Sequence, residues 1–170
     1  MRILVAYTSK TGTSAECAEI LASKLKNGND IVLVDMKKQE AESASSFDTV
    51  VLGGSVRMGR ISKELKNYIK SNREALLKMP CAVFLCCGFP DEFEEYVTRE
   101  ISSDFVPSYG FHCFGGELKP KKARGIDRFI LKSMRRSITE HDFEDGNYSG
   151  SLPEIIPEHI YILADKIMGR

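Results

Sequence analysis

Several short segments of this chain are apolar almost without interruption, and they alternate with stretches whose apolar residues recur at helical spacing. The runs are Ile3-Leu4-Val5-Ala6-Tyr7, Ile31-Val32-Leu33-Val34, Val50-Val51-Leu52, Cys81-Ala82-Val83-Phe84-Leu85-Cys86-Cys87 and Phe111-His112-Cys113-Phe114. A strand with one wet face alternates apolar and polar residues; a strand that is apolar throughout is covered on both faces. Strands of that kind, separated by amphipathic helices, imply an α/β sandwich: a parallel sheet with helices on both sides. In such a sheet, ligands bind beyond the carboxyl ends of the strands, near the point where the strand order reverses.

In chain order, residues 2–8 read as a strand and 13–27 as a helix stopping near Asn27-Gly28-Asn29. A second strand covers 31–34, and the polar stretch 37–47 reads as a short helix or loop. The third strand, 47–54, runs into a loop. Ser62 is an N-cap candidate for a helix carrying Leu65, Tyr68, Ile69, Leu76 and Leu77, ended by Pro80. The fourth strand, 81–87, is broken by Gly88-Phe89-Pro90. Asp91 can cap a helix over about 92–103, and 111–116 reads as a fifth strand. A basic stretch from Lys119 to Arg136 carries a helix from about 124 to 138. Residues 139–152 read as a polar loop, and 153–168 as a last helix with Ile156, Ile160, Leu163 and Ile167 on its buried stripe. No repeat or linker divides the chain, so 1–170 is expected to be one domain.

The turn after the first strand is Thr8-Ser9-Lys10-Thr11-Gly12-Thr13-Ser14. It places backbone N–H groups at the head of a helix, where the partial positive charge favours an anion. Its hydroxyls add uncharged donors, and Gly12 allows close approach of the backbone to a ligand. Two readings follow: a phosphate cradle, or an ordinary helix cap made by one hydroxyl. The dinucleotide fingerprint G-x-G-x-x-G is absent after this strand. Gly54-Ser55-Val56-Arg57-Met58-Gly59 has the glycine spacing of a nucleotide P-loop, but Arg60-Ile61 stands where Lys and Ser/Thr would be needed. Triphosphate chemistry is therefore set aside.

The motif Ser9-Lys10-Thr11-Gly12-Thr13-Ser14 resembles the FMN-phosphate loop of the flavodoxin family, Ser/Thr-x-Thr-Gly-x-Thr/Ser, and stands in the expected place. The whole strand and helix succession is similar to that family, whose sheet order is 2-1-3-4-5. The resemblance implies FMN as cofactor. It also implies that Ser55, Val56, Arg57, Met58 and Gly59 lie along the flavin ring, with Cys87, Gly88 and Phe89 flanking its other side. The chain has no Trp, and Phe89 is the one aromatic residue in these loops. Arg57 is open to two readings, a cation favouring an anionic reduced flavin or a surface residue paired to a carboxylate. Cys86-Cys87 borders the same site, either with a redox role or as two small residues packed near the ring.

Within the family, Gly53–Gly59 and Asp127-Arg128-Phe129-Ile130-Leu131-Lys132-Ser133-Met134 resemble the menaquinone-linked protoporphyrinogen oxidase branch, from Met1 to about Ile138. The segment after the fourth strand is modest and acidic (Asp91, Glu92, Glu94, Glu95, Glu100), where that branch is long and basic. Three functions remain open on these grounds. They are an FMN-dependent oxidoreductase acting on protoporphyrinogen, a flavodoxin-type electron carrier between redox proteins, and a fold of this type that has lost its cofactor. The intact hydroxyl loop argues against the third. Expected partners are FMN and either a redox protein or a quinone or porphyrin substrate.

With 24 basic and 24 acidic residues the net charge is zero, so no global field points to nucleic acid. The basic segment 119–138 could lie on an anionic membrane or dock an acidic redox partner. It could equally pack its apolar residues onto the domain. No apolar run approaches the roughly 20 residues that span a bilayer, and no leader-like layout precedes the first strand. The expected location is the cytoplasm, with peripheral membrane contact through the basic segment as the further option. The five cysteines form no C-x-x-C pair, so reduced thiols and no metal site are expected. His112, His141 and His159 form no catalytic grouping by spacing, and no residue is assigned as a catalytic acid or base.

Overall fold

A computed structural model of the chain describes residues 1–116 and 154–170. The strands are β1 (Arg2–Tyr7), β2 (Asp30–Asp35), β3 (Thr49–Ser55), β4 (Cys81–Cys86) and β5 (Gly110–Cys113). All neighbours are parallel, in the order β2-β1-β3-β4-β5. The helices are α1 (Thr13–Leu25), α2 (Lys63–Ser71), α3 (Arg73–Lys78), α4 (Phe93–Glu100) and α5 (Pro157–Met168), with 3₁₀ turns at Ala44–Ser46 and Pro90–Glu92. The fold is the α/β sandwich that the apolar runs imply, with the flavodoxin-like strand order that the resemblance implies. The basic helix expected over 124–138 and the polar loop 139–152 lie outside the described residues.

Strand alternation divides the core in two. Leu4, Ala6, Val50, Leu52, Cys81, Val83 and Leu85 face α2, α3 and α4, meeting Leu65, Tyr68, Ile69, Leu76, Phe93 and Tyr96. Ile3, Val5, Val51, Ala82, Phe84 and Cys86 face α1 and α5, meeting Cys17, Leu21, Leu25, Ile160, Leu163 and Ile167. A buried Leu or Ile contributes about 1.5–3 kcal/mol, so these two layers hold the sheet from both sides. Gly53 is required where it stands. A Cβ there would lie 2.0 Å from the Phe84 ring, which stacks on Phe114 with centroids 4.5 Å apart.

Some boundaries differ from the sequence reading, each for a local reason. The helix expected from Ser62 to Pro80 breaks at Asn72, whose Oδ1 accepts from the backbone N–H of Ala44 at 2.9 Å. That bond recruits Asn72 to the 3₁₀ turn, and Leu77 beyond the break is exposed while Leu76 is buried. Asp91 does not cap α4. Pro90 opens a 3₁₀ turn that includes Asp91, and the helix begins at Phe93 without a side-chain cap. The helix ends at Glu100 rather than near 103, because Ile101 turns extended and buries its side chain. The outer strand β2 is only partly covered, with Leu33 exposed. Ser62 does cap α2, its Oγ accepting from the N–H of Leu65 at 3.3 Å.

Candidate functional site

Beyond the carboxyl ends of β1, β3 and β4, three loops meet. The sheet order reverses between β1 and β3, and Thr8, just past β1, donates its N–H to the Gly53 carbonyl at 2.9 Å. The Thr8 hydroxyl accepts from Ser62 Oγ at 3.0 Å, which ties the first loop to the head of α2. A Cβ on Gly54 would come to 3.0 Å from Thr8 Oγ1 and 2.9 Å from Leu65, so the bare backbone there lets the loops approach. Val56 donates to the Cys86 carbonyl at 2.9 Å, and Cys87 to that of Gly115 at 2.9 Å. Gly116 then fits against the Cys87–Gly88 backbone, where a Cβ would fall at 2.5 Å.

The first loop has the features of an anion cradle. Gly12, at φ 102°, is the N-cap of α1 and supplies no side-chain cap. Its own N–H donates to Ser9 Oγ at 3.1 Å. Ser9, Thr11 and Gly12 are half-buried and Lys10 is exposed. Thr13 Oγ1 and Ser14 Oγ are buried with no hydrogen-bond partner; the Cys86 thiol lies beside Ser14. Buried hydroxyls normally find a partner, and leaving one unmade costs about 1–3 kcal/mol. The single-hydroxyl cap, the bland alternative for this turn, is not what the structure contains.

The second loop folds into a miniature hairpin. Arg57 and Arg60 exchange backbone hydrogen bonds at 2.8 and 3.0 Å, with Met58 (φ 50°) and Gly59 (φ 71°) as the two turn residues. Positive φ at both central positions is a type I′ turn, which favours Asn or Gly first. Met is strained there, and its side chain is exposed; such strain recurs at functional sites. Ser55, Val56 and Arg57 are half-buried at the root of the hairpin, and Gly88 and Phe89 are half-buried across from it. Cys87 is buried. The expected site residues of all three loops are thus brought to one edge of the sheet.

The sequence reading missed the cleft between this hairpin and α4. It has a volume of about 700 Å3 and is lined by Met58, Gly59, Arg60, Lys66, Tyr96 and Arg99, with Glu92 and Glu100. Arg99 Nη2 donates to the Gly59 carbonyl, and Arg99 pairs with Glu95 at 2.7 Å. Glu100, nearly buried, accepts from Lys66 Nζ at 2.6 Å and from the Ile61 N–H at 3.2 Å. Burial pushes the Glu100 carboxyl up, but Lys66, the Ile61 N–H and Arg99 outweigh it and hold it below the usual carboxylate range. Tyr96 OH donates to Glu92; burial and that carboxylate push the phenol up to about 12. The Arg60 side chain, by contrast, has no partner among the described residues. One signal for this cleft was available: Tyr96, Arg99 and Glu100 stand at i, i+3 and i+4 on one helix face.

Among the described residues no helix is long and apolar enough to cross a membrane, and no group of three His, Cys, Asp or Glu side chains could hold a metal.

Comparison with known proteins places this geometry in context. A family model of the flavodoxin domain matches residues 4–145. The protoporphyrinogen IX dehydrogenase (quinone) of Escherichia coli strain K12 is 28% identical over 144 residues, covering 80% of each chain. The protein of the same name from Escherichia coli O157:H7 matches equally. Among solved structures, a short-chain flavodoxin associated with a PDU bacterial microcompartment superposes with a TM-score of 0.50 at 14% identity, over 83% of this chain and 98% of that one.

Proposed function

The chain belongs to the flavodoxin domain family, and from that premise we propose that it is an FMN-dependent oxidoreductase whose substrate is a porphyrinogen. The observation that carries the FMN half is the pair of buried, unpartnered hydroxyls, Thr13 Oγ1 and Ser14 Oγ, at the uncapped head of α1. A phosphate monoester supplies acceptors for such donors, and the helix terminus favours its charge. Ser9, Lys10, Thr11 and Gly12 complete the cradle. Ser55–Gly59 and Cys87–Phe89 would border the ring, with Phe89 as its aromatic contact. Bound FMN would supply the two-electron acceptor for the porphyrinogen.

The residues of the chain position and select. The I′ hairpin, clamped by Arg99, fixes the wall formed by Arg57 and Met58. The cleft beside it combines the exposed Met58 side chain with the Arg60 cation, which no described residue pairs, and so suits a bulky, partly apolar ligand bearing carboxylates. A porphyrinogen has that character, and the likeness to the Escherichia coli dehydrogenase supports the assignment. The test is anaerobic. The yellow protein, mixed with protoporphyrinogen, should lose its flavin absorbance within turnover time.

A second reading, an electron carrier between proteins, is favoured by one observation. Asp91, Glu94 and Glu95 are exposed beside the same edge, and would suit a basic redox protein. Flavin that is bleached by a ferredoxin reductase but untouched by protoporphyrinogen would select the carrier.

A further inference from the structure

Consecutive residues of a strand project to opposite faces, and this separates Cys86 from Cys87. Cys86 Sγ lies 3.6 Å from Cys17 Sγ in the layer covered by α1 and α5. Cys87 Sγ lies 3.5 Å from Cys113 Sγ in the layer covered by α4. The sequence pair Cys86-Cys87 is therefore two thiol pairs, one on each side of the sheet. Cys17 and Cys86 are both buried; in the second pair Cys87 is buried and Cys113 is half-exposed. Among the described residues, Cys113 is the one cysteine that is not buried.

The surroundings of Cys113 fit an attacking thiolate. The Cys87 and Cys113 sulfurs share one hydrogen bond in which either can donate, Cys113 is the less buried of the two, and His159 of α5 sits over the same strand end, with Nδ1 2.6 Å from the Cys113 carbonyl. The Cys87 hydrogen bond is the largest influence and outweighs burial, so the Cys113 thiol falls below the usual thiol range. The same bond, with burial, keeps Cys87 protonated. An attacking thiolate beside a protonated partner is the division of labour of a dithiol that undergoes exchange.

We propose that Cys113 and Cys87 form a redox-active dithiol that takes low-molecular-weight disulfides as its oxidant, with Cys113 attacking and Cys87 resolving. Cys113 thiolate attacks one sulfur of the disulfide, forming a mixed disulfide and releasing one small thiolate. Cys87 gives its proton to solvent and attacks Cys113 Sγ, expelling the second small thiolate. Two cysteine thiols are oxidised to one disulfide, and one small disulfide is reduced to two thiols. The bond closes on a diagonal, because Cys113 is paired in register with Leu85, two residues before Cys87. The sulfurs must approach to about 2 Å, so closing the bond displaces the backbone at Cys87, whose N–H is held by the Gly115 carbonyl. A bond that strains its loop is easily reduced again, so the couple is reversible. It needs no flavin, and stands or falls apart from the reading above.

The experiment uses the full-length protein, fully reduced and then exposed anaerobically to oxidised glutathione. Remaining thiols are alkylated under denaturing conditions and the peptides mapped by mass spectrometry. The expected product is a Cys87–Cys113 linked peptide pair, with Cys17, Cys81 and Cys86 alkylated in every sample. Cys87→Ser should stop at a glutathione adduct on Cys113, and Cys113→Ser should carry no adduct. The initial modification of Cys113 should exceed that of Cys17 or Cys86 by about tenfold or more. Unmodified Cys113 in the wild-type protein, or a bond between any other two cysteines, would overturn the proposal without requiring either variant.

Discussion

Arg99 donates from Nη2 to the carbonyl oxygen of Gly59 at 2.6 Å, fastening the tip of the Arg57–Arg60 hairpin to α4. The hairpin turn contains Met58 at positive φ, so it needs an external hold. Arg99→Met keeps the stem over Tyr96 and removes the donor. A single charged hydrogen bond at a partly exposed site contributes about 1 kcal/mol. The FMN dissociation constant should therefore rise about fivefold with little change in melting temperature. Fluorescence titration measures it, and an unchanged constant would mean that the hairpin holds its shape unaided.

Thr13→Val replaces a buried hydroxyl that has no partner by a methyl group of the same shape. Stability and cofactor binding should move in opposite directions. The apo protein should gain up to about 1 kcal/mol, since an unsatisfied polar group is removed. FMN affinity should drop about tenfold, since a phosphate donor is lost. Urea unfolding of apo protein and titration of FMN read the two effects separately. A variant that is less stable, with unchanged affinity, would show that the hydroxyl serves the fold.

Glu100 holds together Lys66, the Ile61 N–H and Arg99. Glu100→Gln should destabilise the protein by about 1.5–3 kcal/mol at neutral pH, the range for hydrogen bonds to a charged group. The folded-state carboxyl is held below its ordinary value. Its contribution is thus complete above the unfolded value of about 4.3 and is lost as pH falls from there through the lower folded value. The gap between wild type and variant in urea midpoint should close over that range. A gap that persists unchanged into strong acid would contradict the ion-pair account.

Arg60 lines the cleft, and no described residue pairs with its side chain. Arg60→Gln should raise KM for protoporphyrinogen about tenfold while leaving the FMN dissociation constant within about twofold, as expected from removing one desolvated charge contact to a carboxylate. Steady-state kinetics paired with the FMN titration separates the two. An equal loss in FMN affinity would move Arg60 from the substrate to the cofactor.

The residues themselves explain which of these features could be read without coordinates. The apolar runs in β1, β3 and β4 read as strands covered on both faces, and the strand order followed from the resemblance to the flavodoxin family. The hydroxyls of Thr13 and Ser14 were visible as a motif, but that they are buried and unpartnered is a property of packing. Residues far apart in sequence were harder. Arg99 and Gly59 meet only because α4 returns over the β3 edge. Asn72 breaks a continuous helical pattern because it bonds Ala44, a tertiary contact that local periodicity does not carry. Cys86 and Cys87 looked like one pair; alternation along the chain sends them to opposite faces, and only the fold shows that Cys17 and Cys113 meet them there. β2 looked like a core strand by composition, and its place at the outer edge leaves Leu33 exposed.

The central claim is that the loop from Ser9 to Ser14 holds the phosphate of a flavin. Parallel titrations of the apo protein with FMN and with riboflavin, followed by quenching of flavin fluorescence, test it most directly. The two ligands share the ring and differ by the phosphate. The account predicts one FMN site and an affinity for FMN at least about 100-fold above that for riboflavin, which corresponds to roughly 2.7 kcal/mol from phosphate contacts. Equal affinities, or no binding of either flavin, would contradict it.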